Sequence, residues 1–316
     1  MMRTLRVAHI SDLHLSPVHR RVNIRKTKKL LDQINRLGVD HLVVTGDIVA
    51  DAEPGELHLA KNLFRAYGFL EPGRMSVVVG NHDIYGGVHI AEDILAFPQR
   101  CSTADRRLKM RQFGRYFDEA FGNAVISPQD SLFPYLKQLP GVLLLGLDSV
   151  AEYSVLGNPV GSNGAVSEFQ RKWIDQTLSS GKFRATRRIV MIHHHFNRMD
   201  GQTGGTIQGV WNAFERQTMK LRGKGELVQL FRRHAIDAVL HGHCHENMEY
   251  SYKGVRFANG GGSILGSPQS SLRVNLLSVG EAGIHIHRHE FPWTEETPAS
   301  QALIPMDHLV TAHAAA

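Results

Sequence analysis

Short apolar, β-rich runs alternate with helical patterns along most of the chain. Val7-Ala8-His9-Ile10, His41-Leu42-Val43-Val44-Thr45 and Met75-Ser76-Val77-Val78-Val79 are nearly continuous apolar runs of strand length. Later runs of the same kind fall at Val142–Leu145, Arg188–Ile192 and Ile236–Leu240. Between the early runs, Leu30, Leu31, Ile34 and Leu37 recur at helical spacing within 25–37, with lysines on the outer face. A second helix is predicted over 56–67. Apolar strands separated by helices predict buried sheets covered by helices, so the fold class is α/β.

The texture changes past Gly254. Strand-like runs at Val255–Phe257, Leu272–Ser278 and Ile284–His289 are divided by Gly, Pro and Ser. They predict an antiparallel β-meander that closes a second sheet. The stretch 85–140 carries no chemical motif and is expected to be a cap-like insertion that partly lids the site. Its basic run Arg106–Arg111 is expected to be a solvated helix face. The domain reading is one domain over 1–296, with that insertion, a β-rich C-terminal part at about 254–291, and an Ala- and Pro-rich surface tail over 297–316. No internal repeat is visible.

Composition changes this picture little. With 316 residues, 42% hydrophobic and 21% charged, the chain can bury a sizeable core and has the balance of a soluble globular protein. No run of 18 or more apolar residues occurs, so no membrane-spanning helix is expected. Met1–Arg6 lacks the apolar stretch of a secretory signal, and Cys101 and Cys244 offer no disulfide framework. A cytoplasmic location is therefore expected. The net charge of +6 favours anionic partners by steering, without naming one. No separate nucleic-acid-binding module is evident, and nothing in the residues demands a homo-oligomer.

The chemistry lies in five short motifs at the C-terminal ends of the expected strands, where open α/β sheets place their ligand sites. They are Asp12-Leu13-His14, Gly46-Asp47, Gly80-Asn81-His82-Asp83, His193-His194-His195 and Gly242-His243-Cys244-His245. An extended backbone would set the outer two side chains of D-x-H or H-x-H on one face, ready to grip a metal. Glycines 46, 80 and 242 would let the chain turn where those side chains converge. The oxygen and nitrogen donors suit Mn, Fe or Zn, and seven donors suit two ions about 3.5–4 Å apart sharing a carboxylate. Other histidines read differently: His241 as structural, and His285, His287 and His289 as the solvent face of a strand. Cys244 is expected to point away from its neighbours and pack.

This ordered series resembles the calcineurin-like metallophosphoesterase superfamily, from Asp12 to His245. The resemblance implies a four-layer α/β/β/α sandwich of two mixed sheets flanked by helices. It implies one metal held by Asp12, His14 and His245, a second held by Asn81, His193 and His243, and Asp47 as the bridge. His82 would contact the phosphate and protonate the leaving group, with Asp83 orienting its imidazole. The fourth motif departs from the family pattern, because His195 stands where proline is common. His194 therefore remains an alternative ligand to His193, and His194 and His195 are candidate substrate contacts. The implied activity is hydrolysis of phosphate esters by a metal-activated hydroxide.

A finer resemblance is to the branch of class III cyclic-nucleotide phosphodiesterases and glycerophosphodiesterases. It is carried by Gly146-Leu147-Asp148-Ser149 and by Gln170-x-x-Trp173-Ile174-x-x-x-Leu178, which are expected to serve packing and turn geometry. It implies a phosphodiester substrate. A phosphomonoester, the pyrophosphate bond of a lipid-sugar nucleotide, and a non-catalytic metal-binding scaffold are the alternatives.

Overall fold

A computed structural model describes residues 3–90, 93–128, 131–183, 187–196, 219–265 and 270–294. The expected tail at 297–316 lies outside them. The apolar runs form two large mixed sheets. The first is five-stranded, in the order β14 (Gly283–Pro292), β13 (Ser271–Gly280), β1 (Leu5–Ile10), β2 (His41–Thr45) and β3 (Met75–Val78). Strands β1, β2 and β3 are parallel, while β13 runs antiparallel to β1 and β14 to β13.

The second sheet is seven-stranded. Its order is β11 (Met248–Tyr252), β12 (Val255–Asn259), β10 (Ala238–His241), β8 (Arg187–Met191), β6 (Val142–Gly146), β5 (Tyr135–Leu139) and β4 (Ala124–Ile126). Its inner four, β12, β10, β8 and β6, are parallel. A short ribbon pairs β7 (Gly164–Ala165) with β9 (Leu221–Arg222).

Strand alternation divides the hydrophobic core into two layers. From β6, Val142 and Leu144 point into the core shared with the five-stranded sheet, where they join Ile10, Val43 and Val77. Leu143 and Leu145 point the other way, toward Ile174, Leu178, Leu227 and Phe231. Those four belong to helices α6 (Glu168–Ser179) and α7 (Lys224–Arg233). On the far side of the first sheet lie α1 (Arg21–Arg36) and α2 (Pro54–Ala66), which bury Leu30, Leu31, Ile34, Leu57 and Phe64. Helix, sheet, sheet, helix is the expected sandwich. Helix α2 begins before Glu56 because Pro54, already fixed in φ, occupies its first turn. Among the described residues, no helix is long and apolar enough to cross a membrane.

Two expectations are corrected. The β-rich C-terminal part is not one meander closing one sheet. Strand β12 joins the seven-stranded sheet, whereas β13 and β14 form a hairpin on the edge of β1 in the other. The turn at 260–265 carries the chain across, and local patterning cannot show such a change of sheet. The stretch 85–140 is likewise only partly outside the sheets. It follows the four-residue α3 (His82–Tyr85), contains α4 (Asp93–Thr103) and α5 (Arg106–Tyr116), and ends in β4 and β5, which extend the second sheet. The basic run is not wholly solvated either: the Arg106 guanidinium turns in to the Asp148 carboxylate, and Lys109 donates to the Ala52 carbonyl at 2.7 Å.

Strand β3 is an edge strand, and unpaired edges need protection. Here β5 supplies it from the opposite sheet: the Tyr135 hydroxyl donates to the Val77 carbonyl at 2.8 Å and the Lys137 ammonium to the Met75 carbonyl at 2.7 Å. Burial pushes the Lys137 pKa down to about 8 from 10.5. The folded chain therefore releases this proton near pH 8, while the unfolded chain holds it to about 10.5. Unfolding takes up a proton between those limits, so this residue's contribution to stability grows with rising pH there. Between pH 8 and pH 10, wild type should gain on the order of 2–3 kcal/mol relative to Lys137→Met in urea unfolding. Parallel pH curves for the two proteins would contradict the assignment.

Candidate metal centre

The parallel strands of both sheets end on the same side. After β1 come Asp12 and His14, after β2 Asp47, and after β3 Asn81 and His82. After β8 comes His193, and after β10 come His243 and His245. Each sheet thus contributes part of one cluster, at the seam between them.

The turns that deliver these side chains are not extended, as the tripeptide argument expected. Asp12, His14, Asp47, His243 and His245 have φ of 58°, 42°, 50°, 76° and 43°. Left-handed backbone at non-glycine residues costs on the order of 1 kcal/mol each and persists only where surrounding contacts impose it. The contacts are visible: the Asp12 amide donates to the Gly46 carbonyl at 3.1 Å and the His14 amide to the Asp47 carbonyl at 2.9 Å. The glycines mainly provide space. Only Gly46, at φ 88°, needs its backbone freedom, and a Cβ there would lie 2.7 Å from His193 Nδ1. A Cβ on Gly80 would collide with the amide and carboxylate of Asp47, and one on Gly242 with Ser11 and Asp12.

Besides a group of His14, Asp47 and His82, two groups of donors result, Asp12 with His14 and His245, and Asp47 with His193 and His243. Asp47 Oδ2 stands between them, 3.7 Å from His14 Nε2 and 3.4 Å from His193 Nε2. Its other oxygen accepts from the His82 amide at 2.8 Å. His193 Nε2 is 3.1 Å from both Asn81 Oδ1 and His243 Nδ1, and His14 Nε2 is 3.1 Å from His245 Nε2. Donors sharing an ion at about 2.0–2.1 Å lie roughly 3–3.4 Å apart, so these separations fit metal ions. Because His193 Nδ1 donates to the Thr45 carbonyl at 2.8 Å, its Nε2 presents a lone pair to the cluster when the ring is neutral.

The electrostatics agree with that reading. Burial and neighbouring imidazoles push the pKa values of His14 and His243 well down, which keeps their lone pairs available. Burial works against the charge of Asp47, yet His193, His82 and His14 around it hold its carboxyl below the usual range. His193 is the counterpart: burial opposes its charging, but Asp47 and Asp12 raise it. Burial and the nearby Asp47 push Asp12 up to about 7, although His193 offsets part of that. Two buried carboxylates this close to each other call for more positive charge than one imidazolium supplies.

His82 lies on the more open side, its ring 4.4 Å from that of His14. Its Nδ1 donates to the Ala50 carbonyl at 3.0 Å, leaving Nε2 turned away from that anchor. Burial lowers its pKa, while Asp47 and the Ala50 carbonyl oppose the shift. Beside it, Val88, Phe97 of α4, Val160 and Ser162 wall a small recess. Asp83 does not orient this imidazole, contrary to expectation. Its Oδ1 accepts from the amides of Ile48 and Val49 at 2.9 and 3.0 Å, and its Oδ2 from Gly80 at 2.8 Å. The carboxylate ties two turns together, and a backbone carbonyl, which no sequence motif marks, holds His82.

The three consecutive histidines separate clearly. His194 Nδ1 accepts from the Ser149 hydroxyl at 2.8 Å, and its Nε2 donates to the Ser162 carbonyl at 3.2 Å. With both nitrogens engaged it offers neither a metal lone pair nor a substrate contact, so both roles expected as possible for it give way to a structural one. His195 stacks at 5.7 Å on His243, and its buried Nδ1 has no hydrogen-bond partner among the described residues. His241 receives the Tyr250 hydroxyl at 2.8 Å, and Cys244 accepts from the Asn259 amide. On β14, His285 and His287 are exposed, as expected, whereas His289 is half-buried. The Gly-Leu-Asp-Ser and Gln-x-x-Trp motifs meet: Gln170 accepts from the Asp148 amide at 3.0 Å and donates to its carbonyl at 2.8 Å. A group not anticipated, His19, Asp51 and His89, gathers beside the cluster. These residues belong to no spaced motif, and only folding brings them together.

The family model for calcineurin-like phosphoesterases matches residues 5–247. No curated protein matches the sequence. Among solved structures, a dimetal phosphatase from Danio rerio superposes with a TM-score of 0.55 at 15% identity, covering 92% of this chain and 99% of that one. The purple acid phosphatase PPD1 of yellow lupin superposes with a TM-score of 0.52 at 14% identity, over 88% of this chain and 50% of that one. These likenesses concern the fold.

Asp83→Ala would leave three buried amides without an acceptor. Urea unfolding should report a loss on the order of 3 kcal/mol or more. A variant within 1 kcal/mol of wild type would show that Asp83 does not hold the turns together.

Proposed function

The chain belongs to the calcineurin-like phosphoesterase family and is a metal-dependent phosphoester hydrolase; we propose that it is a phosphodiesterase with a dinuclear centre. The observation that carries the dinuclear reading is Asp47 Oδ2, placed within 3.7 Å of His14 and 3.4 Å of His193 from opposite donor groups. Asp12, His14 and His245 would hold one ion, Asn81, His193 and His243 the other, and Asp47 would bridge. The ions, Mn, Fe or Zn by donor chemistry, would supply charge neutralisation and nucleophile activation.

The chain's own groups do the rest. The His82 amide and the Gly80 turn fix the bridging carboxylate in place. The Ala50 carbonyl anchors His82 Nδ1, so a proton on Nε2 is the one His82 would pass to the departing alkoxide. Arg20, whose positive charge reaches His14, His82 and His245, would offset the charge of the incoming phosphate. Support for a diester comes from the branch-like motifs, Gly146–Ser149 and Gln170–Leu178. They brace each other and His194 directly behind the cluster. A cyclic nucleotide or a glycerophosphodiester is the substrate class this resemblance favours.

The test compares bis(p-nitrophenyl) phosphate with p-nitrophenyl phosphate, using metal-stripped protein reloaded with manganese. Faster diester cleavage is expected; preference for the monoester would move the reading to a phosphatase, and metal loading without any hydrolysis would favour a scaffold. Asp47→Ala should lose one or both of the equivalents bound at the central cluster, by elemental analysis. His82→Ala should keep its metal and lose about 10²-fold or more in turnover on diesters with poor leaving groups. Undiminished turnover would refute the role given to His82.

A further inference from the structure

We propose that His19, Asp51 and His89 form a third cation site on the rim of the cleft, for a borderline divalent ion such as zinc. Their ligand atoms lie within 4.8 Å of one another, as those of the central groups do. His89 Nε2 is 2.8 Å from both Asp51 oxygens, and His19 Nε2 is 3.9 Å from Asp51 Oδ2. These separations straddle the roughly 3.3 Å between neighbouring ligands of a tetrahedral ion, and binding would turn the two rings so that both Nε2 lone pairs converge on it. The two imidazoles are stacked, centroids 4.2 Å apart and planes within 3°, and each brings its Nε2 within 3.9 Å of the same carboxylate.

Two neutral imidazoles and one carboxylate are the donor set of an open zinc site, with water filling the remaining position. Water has access, because His19 and His89 both border open cavities of about 540 and 420 Å³. One group opposes the ion: Arg100 Nη2 lies 3.7 Å from Asp51 Oδ1, with Asp93 at 3.8 Å partly neutralising it. The Gly87 amide also donates to Asp51 Oδ1, at 3.4 Å.

The site would act as a clasp. His19 precedes α1, and His89 follows the Gly86-Gly87 turn, which packs so tightly on the His82 ring that no side chain fits at Gly87. An ion joining the two loops would fix the wall against which His82 rests.

The test is zinc binding to metal-stripped protein by equilibrium dialysis with elemental analysis. Wild type should bind three equivalents, and His19→Ala, a change at an exposed residue, should bind two with an unaltered circular dichroism spectrum. Asp51→Asn should also bind two. Arg100→Gln should bind the third equivalent several-fold more tightly. Two equivalents in wild type, or a third that survives both His19→Ala and Asp51→Asn, would overturn the proposal. The count of equivalents is read without any substrate, so a wrong choice of substrate class would leave this result unaffected.

Discussion

The candidate site depends on one buried carboxylate. Asp47 is almost sealed from solvent, sits in left-handed backbone, and faces imidazoles from both sheets. A carboxylate in such a place is costly unless it is hydrogen-bonded and matched by positive charge. The first condition is met by the His82 amide, and the second in part by His193. The surrounding histidines are held neutral by burial, so they bring lone pairs rather than charge. A cluster rich in lone pairs and short of cations is what metal ions complete.

Holding that carboxylate requires a strained frame. Five of the cluster's residues adopt left-handed backbone just after their strands end. The strain is sustained by rigid parts on every side: the turns hydrogen-bond to each other beyond the strand ends, Asp83 staples two of them, and Gly80 leaves room for Asp47. Further out, Tyr135 and Lys137 cap the exposed edge of β3, the strand that leads into Asn81 and His82. The buried lysine is thus linked to the site through the placement of one strand. Strain of this kind at a ligand cluster favours preorganisation, because little remains to be rearranged when a ligand arrives.

Much of this was legible in the sequence, for definable reasons. Continuous apolar strands alternating with amphipathic helices announce buried sheets, and His or Asp just past each strand end announces a convergent site. The D-x-H, G-D, G-N-H-D and G-H-x-H spacings are local, so they survive as sequence signals. What escaped was non-local. Nothing in residues 254–291 records that β12 and β13 belong to different sheets. Asp83 follows His82 in the chain, yet two of its three partners are amides more than thirty residues away. The choice between His193 and His194 turns on Thr45, Ser149 and Ser162, whose positions only the fold defines. The left-handed turns were hidden because the residues that adopt them are not glycines.

The division of the donors between two sheets couples site and fold. Asp12, His14, Asp47 and Asn81 come from the five-stranded sheet, His193, His243 and His245 from the seven-stranded one. The contacts across the seam involve the same residues: His193 donates to the Thr45 carbonyl, and the His243 amide donates to Asp12 Oδ2 at 2.9 Å. Neither half of the cluster exists until the sheets have packed against each other, so an unfolded chain has no comparable site. Whatever free energy the ions release on binding therefore also stabilises the sandwich, by mass action on the folded state alone. In the same way, any change that loosens the packing between the sheets acts on both donor groups at once, however far from the ligands it lies.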